Sequence, residues 1–532
     1  MPPVDSAPLT APGPITVSFN RMGGLKETQS YDLLIVACDP RHLKLDVDAA
    51  EKAVFSALQN FRIHCTILEV TNPPTPVPYG IVLAPGVVEK MDGSIYGFRN
   101  ETAKQYDLVT ARGMEKNLVA VYQLYDPWKI AGNPEYPPDW FRTKLGKELK
   151  KLPGLKWWPY GPDVNVITDY TTDYFDHFSA EDVGKGLPWT YLDLQGQRNT
   201  YYVHASTCFE SALHCWQYAK MLFDPKSGLH HQLPSDTAAR ILITGAGVSG
   251  LLFAESLYRQ GYKNVTVMEA LPDQSGRGEI YGKTQTLTLA KPRPDRFAPH
   301  AVEPTVAELG TCYMSVAYKP MLDHLQRYYL SDGNDPNRTF MVGDPTQLDF
   351  RGMVCPDDMP GCGGKVLGFT DYVIARARQF LGPEYAEYAD WEIEAKIVEA
   401  AIFYLAERAV CFDSIGLMPL DPPPDTLTVL EKNFQEFLVS KGMGALVGVM
   451  EYSYSIQGYG PLTSISTFYG MTWISDALVL EMLVEEGLKQ PLITFWSKGW
   501  GDVWARMVDA ITQNGQVRIE YGINITEINR HV

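Results

Sequence analysis

The feature that most constrains the fold is a glycine-rich turn in the middle of the 532-residue chain. Residues 240–269 read RILITGAGVSGLLFAESLYRQGYKNVTVME, which is an apolar run, a turn, a helical stretch and a second apolar run. Gly245, Gly247 and Gly250 have the G-x-G-x-x-G spacing, and the second apolar run ends at Glu269. Strand, glycine turn, helix, strand and acid in this order are typical of a βαβ unit that binds a dinucleotide.

Each glycine of this turn has a separate role in that interpretation. Gly245 permits the tight turn, Gly247 lets the backbone approach a pyrophosphate, and Gly250 lets the helix pack on the strand. The N-terminus of the helix attracts phosphate charge, and the carboxylate of Glu269 can accept hydrogen bonds from a ribose. The alternative is a glycine-rich turn that binds no ligand.

Composition and charge restrict the partners of the chain. A hydrophobic content of 45% supports a large core, and a net charge of -17 argues against nucleic-acid binding and charge-driven membrane binding.

The eight cysteines form no C-x-x-C pair and no zinc-type cluster with histidine, so no metal site is predicted. The sequence shows neither a signal peptide nor an apolar run of membrane-spanning length. We therefore expect an intracellular, cytoplasmic protein with reduced cysteines.

Periodicity gives a coarse secondary structure. Helices are predicted at 209–223, 369–381 and 501–513, and strands at 15–20 and 517–521. Residues 125–165 are rich in proline and tryptophan and are predicted to be irregular.

Three further segments resemble the superfamily of FAD-dependent amine oxidases and desaturases. Ser275-Gly276-Arg277 is similar to its G-G-[RK] turn, with serine in place of the first glycine. Lys498-Gly499-Trp500-Gly501 and the following VRIEYGINITEINR resemble its glycine turn and adenine-side strand pair, and YDLLIVACDP at 31–40 resembles a further strand. The resemblance implies an α/β fold. A Rossmann-like FAD-binding domain of the glutathione-reductase-like, amine-oxidase type would be interleaved with an α+β substrate domain.

The order of these segments differs from that of the family, in which the glycine fingerprint comes first. Residues 1–234 resemble the C-terminal half of the family, and residues 235–532 resemble its N-terminal half. We therefore predict a circularly permuted chain, with the ITVSFN strand and 525–532 as the two arms of one hairpin; the alternative is an unrelated N-terminal domain. Termini that lie close together make such a permutation structurally inexpensive. The predicted domains are an FAD-binding domain of 1–45, 198–318 and 501–532, and a substrate-binding or cap domain of 46–197 and 319–500.

Within the superfamily, three segments resemble the polyenoic fatty acid isomerases. They are YFDHFSAED at 174–182, QGQRNTYY at 195–202 and Gly458-Tyr459-Gly460. One position departs from the pattern, because Val203-His204-Ala205-Ser206 stands where the family has A-G-[DE], whose acid binds the ribityl chain. Glu210 is a possible substitute for that acid.

The resemblance implies FAD as the cofactor. It places the adenosine on Glu269, the pyrophosphate over Gly245 to Gly250, and the adenine against Ile525 and Ala37. His204 would contact ribityl or phosphate oxygens, or else be a core histidine, and Arg198 would pair with an anion or form a structural salt bridge. The predicted cofactor-binding residues are Ala37, His204, Ser206, Gly245, Gly247, Val248, Ser249, Gly250, Glu269, Ser275, Gly276, Arg277 and Ile525.

The isomerase resemblance implies a redox-neutral reaction on a polyunsaturated fatty acid or similar lipid. Flavin N5 would take a hydride from a doubly allylic carbon and return it at another carbon. The predicted catalytic residues are Trp500, expected to face the flavin ring, and His177, Tyr459 and Tyr469; ordinary core packing is the alternative for each. The aromatic residues predicted to line an apolar tunnel are Tyr452, Tyr454, Tyr459, Phe468, Tyr469, Trp473 and Trp496.

Two other functions remain open at this point. The first is an FAD-dependent oxidase or desaturase that acts on an amine or a polyene and passes electrons to an acceptor. The second is a flavoprotein-like scaffold without catalysis, which the missing ribityl acid favours and the intact glycine turn opposes. The partner expected of an active enzyme is a small, apolar, lipid-like molecule.

Overall fold

The computed structural model describes residues 14–22, 24–71, 79–106, 111, 114–127, 140–161, 163–223, 233–272, 282–288, 306–310, 312–328, 339–342, 351–412, 422–484, 487–488 and 493–530. No helix in these ranges is long and apolar enough to cross a membrane. The chain divides into two compact units. The first consists of Met1–Leu58, Leu187–Gly282 and Trp504–Val532, and the second of Gln59–Gly186 and Lys283–Val503. Compared with the predicted domain boundaries, the first unit also takes in 46–58 and 187–197, and 283–318 belongs to the second unit.

The described residues form a mixed α/β structure. Its strands are β1 (Ile15–Arg21), β2 (Lys26–Tyr31), β3 (Leu33–Val36), β4 (Gln59–Thr71), β5 (Ile81–Leu83), β6 (Asp92–Asn100), β7 (Lys116–Tyr125), β8 (Val164–His177), β9 (Thr200–Tyr202), β10 (Arg240–Thr244), β11 (Asn264–Met268), β12 (Thr286–Thr288), β13 (Val306–Glu308), β14 (Thr339–Val342), β15 (Arg351–Val354), β16 (Val366–Leu367), β17 (Leu483–Val484), β18 (Gly487–Leu488), β19 (Ile493–Trp496), β20 (Val517–Glu520) and β21 (Ile523–Arg530). Its α-helices are α1 (Ala49–Ala57), α2 (Pro85–Val88), α3 (Glu101–Tyr106), α4 (Trp140–Leu149), α5 (Ala180–Gly184), α6 (Leu187–Asp193), α7 (Ala212–Phe223), α8 (Val248–Arg259), α9 (Lys319–Leu325), α10 (Phe369–Leu381), α11 (Asp390–Cys411), α12 (Pro424–Leu430), α13 (Phe434–Ser440), α14 (Val447–Ser453), α15 (Thr467–Trp473), α16 (Asp476–Met482) and α17 (Gly499–Thr512).

A five-stranded parallel sheet is the centre of the first unit. Its spatial order is β20-β11-β10-β3-β9, and every neighbouring pair in it is parallel. The runs LLIV of β3 and ILIT of β10 are fully buried, as expected for parallel strands that are covered on both faces. The strand predicted at 517–521 is β20 of this sheet.

A three-stranded antiparallel sheet, β2-β1-β21, joins the two ends of the chain. Ile15 lies opposite Arg530, and the pairing continues to Arg21 opposite Ile523. Val17, Phe19 and Ile528 are completely buried. The two segments that were predicted to be arms of one hairpin are therefore paired strands.

A buried ionic network fixes the last strand of the first unit. The guanidinium of Arg530 donates to both carboxylate oxygens of Glu51, at 2.6 and 2.7 Å, and to Asp46 at 2.7 Å. The Tyr202 hydroxyl donates to Glu51 at 2.5 Å, and Arg198 donates to Asp46 at 2.6 Å. Burial alone would raise the pKa of Glu51, but its hydrogen bonds with Arg530 and Tyr202 lower it.

The second unit contains a seven-stranded sheet in the order β16-β15-β5-β6-β7-β4-β8. Its pairs are antiparallel except for β15 with β5. Leu68, Phe98 and Val121 belong to its core and are fully buried. Residues 369–482 of this unit are largely helical, from α10 to α16.

The helical predictions agree with the structure except in one region. Helix α10 occupies the predicted 369–381, and α7 and α17 lie within a few residues of their predicted limits. The prediction of an irregular 125–165 is wrong for part of that range, because α4 spans Trp140–Leu149. Phe141 and Leu145, one turn apart, are both buried and give this helix its core-facing side.

Substituting Arg530→Met should destabilise the protein by about 3–5 kcal/mol, because Glu51 would remain buried without its cation. Lys26→Met is the matched control, since the exposed pair of Lys26 with Glu527 at 3.7 Å contributes about 0–1 kcal/mol. The two thermal midpoints, measured by calorimetry at neutral pH, should differ clearly. Equal midpoints for the two variants would show that the network does not stabilise the fold.

Candidate functional site

The glycine turn connects β10 to α8 at the carboxyl edge of the parallel sheet. Gly245 has φ +98°, a conformation that L side chains rarely adopt. A Cβ at Gly250 would lie 2.1 Å from the carbonyl oxygen of Gly245, so helix and turn pack backbone against backbone there. A Cβ at Gly247 would lie 3.8 Å from the Gly282 Cα, which is an ordinary van der Waals contact, with no other described atom within 4 Å.

Helix α8 begins directly after this glycine. Gly247 is its N-cap residue and supplies no side chain to cap the first turn, which contains Val248 and Ser249. The first N–H groups of a helix have no partner within the helix and carry the positive end of its dipole. The turn therefore has the geometry of an anion-binding helix start.

Glu269 is placed directly beside this turn at the end of β11. Its carboxylate accepts from the Ala246 N–H at 2.8 Å and from the Leu271 N–H at 3.0 Å. Each oxygen therefore keeps a lone pair for a further donor. The N–H of Ile523 donates to the main-chain carbonyl of Glu269 at 2.9 Å. Ile525 follows two residues later on the same strand, β21.

The ends of β3 and β9 bring a second polar group to the same sheet edge. Ala37 follows β3 and donates its N–H to Thr244 at 3.0 Å. After β9, His204 Nδ1 lies 3.1 Å from the Ser206 hydroxyl and accepts from the Ser206 N–H at 3.3 Å. Burial would raise the pKa of the Asp39 carboxyl, but hydrogen bonds from Arg41 and the nearby His204 lower it to about 2.

Two other predicted residues or segments have different outcomes. Arg198 is part of the Asp46–Glu51–Arg530 network. Of the two roles predicted for it, an anion partner or a structural salt bridge, this contact corresponds to the second. Ser275, Gly276 and Arg277 lie outside the described residues.

The second unit brings three of the predicted catalytic residues together. Phe175, which has φ +54°, lies 5.1 Å from the ring of His177, 5.2 Å from Tyr459 and 5.3 Å from Tyr469. The His177 Nδ1 donates to the Phe175 carbonyl at 2.8 Å, and the Tyr469 hydroxyl accepts from the Phe178 N–H at 2.8 Å. These contacts with the main chain correspond to the core-packing alternative, and a catalytic role for the three residues stays a prediction.

A cavity lies next to this aromatic cluster in the second unit. Trp473, whose ring centroid is 5.2 Å from that of Tyr459, is part of its wall. The cavity encloses about 60 Å³, where one water needs about 10–15 Å³, so a head group and a short length of chain can enter. Its lining is mainly apolar and aromatic: Ile81, Leu83, Tyr313, Ser315, Tyr318, Arg351, Tyr452, Ser453, Ile456, Gln457, Trp473, Leu478 and Ile493.

Arg351 is the arginine among the residues that line this cavity, and no local sequence pattern pointed to it. Only 5% of the residue is exposed, and it donates to the Tyr452 hydroxyl and lies over the Tyr452 ring at 5.3 Å. Tyr452 and Trp473 are the two predicted tunnel residues that line the cavity. Tyr454 and Phe468 instead contact Tyr459 and Tyr469, at 5.5 and 4.9 Å.

The remaining predicted catalytic residue, Trp500, lies apart from this cluster, in the first turn of helix α17, which residues 499–501 form. It is completely buried, and its ring makes an edge contact with Trp496 at 5.9 Å. Its backbone N–H donates to the Glu308 carboxyl at 2.8 Å. Glu308 was not among the predicted site residues.

Comparisons with known proteins give weak similarity. No family model and no curated protein matches the chain. Among solved structures, the chain is similar to a CLA-producing fatty acid isomerase from P. acnes, with 15% identity, a TM-score of 0.25, and coverage of 37% of this chain and 44% of that one. It is also similar to a putrescine oxidase bound to putrescine, with 16% identity, a TM-score of 0.32, and coverage of 53% and 50%. The chain spans half or less of the length of each of these two solved proteins. TM-scores this low do not establish a shared fold.

The glycine turn predicts different effects for two similar substitutions. Gly250→Ala should destabilise the protein by about 1–3 kcal/mol, because the new methyl group overlaps the Gly245 carbonyl. Gly247→Ala should change stability by no more than about 0.5 kcal/mol, since its Cβ would make only an ordinary contact, 3.8 Å from the Gly282 Cα. Thermal midpoints of the two variants measure the difference, and equal values would contradict the close packing at Gly250.

Proposed function

We propose that the protein is an FAD-dependent enzyme that isomerises double bonds in a polyunsaturated fatty acid or a similar lipid. The strand order of the parallel sheet is the observation that carries the proposal. Numbered from the glycine strand, β10, β11, β20, β3 and β9 are strands 1 to 5, so the spatial order β20-β11-β10-β3-β9 reads 3-2-1-4-5. This is the strand order of doubly wound folds that bind dinucleotides.

The same numbering supports a circular permutation. Strands 1 to 3 are read from β10 toward the C-terminus, and strands 4 and 5 continue from the N-terminal part of the chain. The pairing of β1 with β21 brings the first and last described strands side by side. A break between these two strands leaves every pairing of the sheet intact, which is how a permuted chain keeps its fold.

The residues at the sheet edge fit a dinucleotide. The switch point of the 3-2-1-4-5 order lies between β10 and β3, where such folds hold their ligand. The start of α8 at Gly247, a residue without a side chain, suits a pyrophosphate, and the spare lone pairs of Glu269 suit ribose hydroxyls. FAD bound here would supply reversible hydride transfer. His204 and Ser206 would take the place of the missing ribityl acid.

The cavity with Arg351 supports a substrate that combines an apolar chain with an anionic head. A buried guanidinium binds a carboxylate through charge-assisted hydrogen bonds. The apolar wall, which includes Tyr452 and Trp473, favours hydrocarbon. We therefore assign the carboxylate of the lipid to Arg351 and the first carbons of its chain to the cavity.

An anaerobic mixing experiment tests the proposed function. Purified protein with FAD would be mixed with linoleate while the ultraviolet and visible spectrum is recorded. Growth of conjugated-diene absorbance with persistent oxidised flavin bands is the expected result. Flavin that stays bleached until air is admitted would indicate an oxidase or desaturase, and protein without flavin bands would overturn FAD binding altogether.

Gly247→Ala should weaken FAD binding by at least about tenfold, or about 1.4 kcal/mol, because its methyl group occupies space proposed for the pyrophosphate. Gly146→Ala is the control, since this glycine lies in helix α4 and its Cβ would meet no described atom within 4 Å. Fluorescence titration with FAD gives both dissociation constants. An unchanged constant for the Gly247 variant would remove the pyrophosphate from this turn.

Arg351→Met should raise KM for linoleate by about 10- to 100-fold, the loss expected for one charge-assisted hydrogen-bonded pair. The KM for methyl linoleate should change little, because an ester carries no charge. Arg142→Met is the matched control, with a side chain that is 67% exposed. Equal effects on the acid and the ester would contradict carboxylate binding by Arg351.

A further inference from the structure

A buried carboxyl lies directly under the turn that contains Trp500. Glu308 is 2% exposed, and one of its oxygens accepts from the Trp500 N–H at 2.8 Å. The other oxygen accepts from the Thr286 hydroxyl at 2.8 Å, and Thr286 in turn accepts from the Gly501 N–H at 2.8 Å. Two consecutive N–H groups of the turn are therefore held by one carboxyl and one hydroxyl.

The turn is shaped to fit this carboxyl closely. Gly499 has φ +79°, and a Cβ there would lie 2.5 Å from the Glu308 carboxyl oxygen. No side chain other than that of glycine fits at this position without moving the acid. The backbone of Gly499 therefore packs directly against the Glu308 carboxyl.

Charged and titratable groups of helix α3, strand β6 and Cys312 lie near Glu308. On α3, Lys104 donates to Glu101 at 2.6 Å and lies 3.8 Å from the Cys312 sulfur. On β6, Arg99 donates to Glu101 at 2.5 Å and to the Glu308 carbonyl at 2.9 Å. Glu101 therefore takes the direct ion pairs of both cations, and the Glu308 carboxyl is held by neutral donors.

The consequence is a carboxyl that titrates near neutral pH. Burial raises the pKa of Glu308 to about 7, although Lys104 and the hydrogen bonds from Thr286 and Trp500 lower it. Glu101, by contrast, keeps a lowered pKa, because Arg99 and Lys104 outweigh its burial. Among the neighbours, burial raises the pKa of the Cys312 thiol to about 12, so that group stays neutral.

We infer that Glu308 and Thr286 are positioning residues for the 499–501 turn, and that the charge on Glu308 determines how firmly the Trp500 N–H is held. A carboxylate is a stronger acceptor than a neutral carboxyl group. The turn is thus more rigid when Glu308 is ionised. A role of this turn in catalysis rests on the proposed function and on the predicted position of Trp500 at the flavin. The effect of the Glu308 charge on the Trp500 N–H rests on neither.

Hydrogen exchange of the Trp500 and Gly501 amides tests the inference on the full chain without added FAD. Corrected for intrinsic rates, exchange at Trp500 should be about tenfold faster at pH 6 than at pH 8, as a charged acceptor is replaced by a neutral one. Glu308→Gln should show the faster exchange at both pH values. Because FAD is absent, the outcome is independent of whether the proposed function holds.

Variants of Thr286 separate positioning from general destabilisation. Thr286→Val should speed exchange at Gly501, and Thr286→Ser, which keeps the hydroxyl, should restore it. Thr288→Val is the matched control, since Thr288 is exposed on the same strand. Exchange at Trp500 that is independent of pH in the wild type, or unchanged in Glu308→Gln, would overturn the inference.

The thermal midpoint gives a second readout with a defined sign. Because the folded protein holds the Glu308 proton up to a pKa of about 7, its stability contribution is present at low pH and is lost as pH rises toward neutrality. The midpoint of the wild type should therefore fall more between pH 5.5 and pH 8 than that of Glu308→Gln, because most of the interval between the unfolded pKa of about 4.5 and the folded pKa of about 7 lies in this range. Parallel curves for the two proteins would show that Glu308 does not titrate in this range.

Discussion

The buried pairing of Arg530 with Glu51 is the constraint on which the first unit depends. It joins the last described strand to helix α1 and, through Tyr202, to the edge of the parallel sheet. Burying two charges is costly unless nearly every polar atom finds a partner. Here both oxygens of Glu51 and all three nitrogens of the guanidinium are engaged. Such a pairing specifies one arrangement of segments that are hundreds of residues apart in the chain.

This constraint matters most where the chain ends. Strands at the end of a chain are often poorly ordered unless they are tied down. Strand β21 is instead held by β1 along its length and by Arg530 at its last described residue. The first and last described strands are therefore held to each other by a full antiparallel ladder and to helix α1 by an ion pair.

Local patterns made the βαβ unit and several helices predictable from sequence. The strand, turn and helix around Gly245 depend on residues within one 30-residue segment, and the apolar period of 369–381 is a property of that segment alone. The roles of Arg351 and Glu308 could not be found in this way. Arg351 meets Tyr452 across 101 positions, and Glu308 meets Trp500 across 192, so neither pairing leaves a local signal. Helix α4 was missed because the proline- and tryptophan-rich composition around it outweighed its short apolar stripe.

Glu51 and Glu308 show how one residue type acquires two different properties from its partners. Both are buried, with 2% of each residue exposed. Glu51 faces a guanidinium with two direct hydrogen bonds and stays ionised, so it acts as a fixed structural charge. Glu308 accepts from the Thr286 hydroxyl and the Trp500 N–H, and the nearby Lys104 is paired with Glu101. Burial is therefore the largest influence on the pKa of Glu308. A buried carboxyl that is paired with a guanidinium keeps a low pKa and a fixed negative charge. A buried carboxyl that is bound only by neutral donors has a raised pKa, so it can change its protonation state near neutral pH.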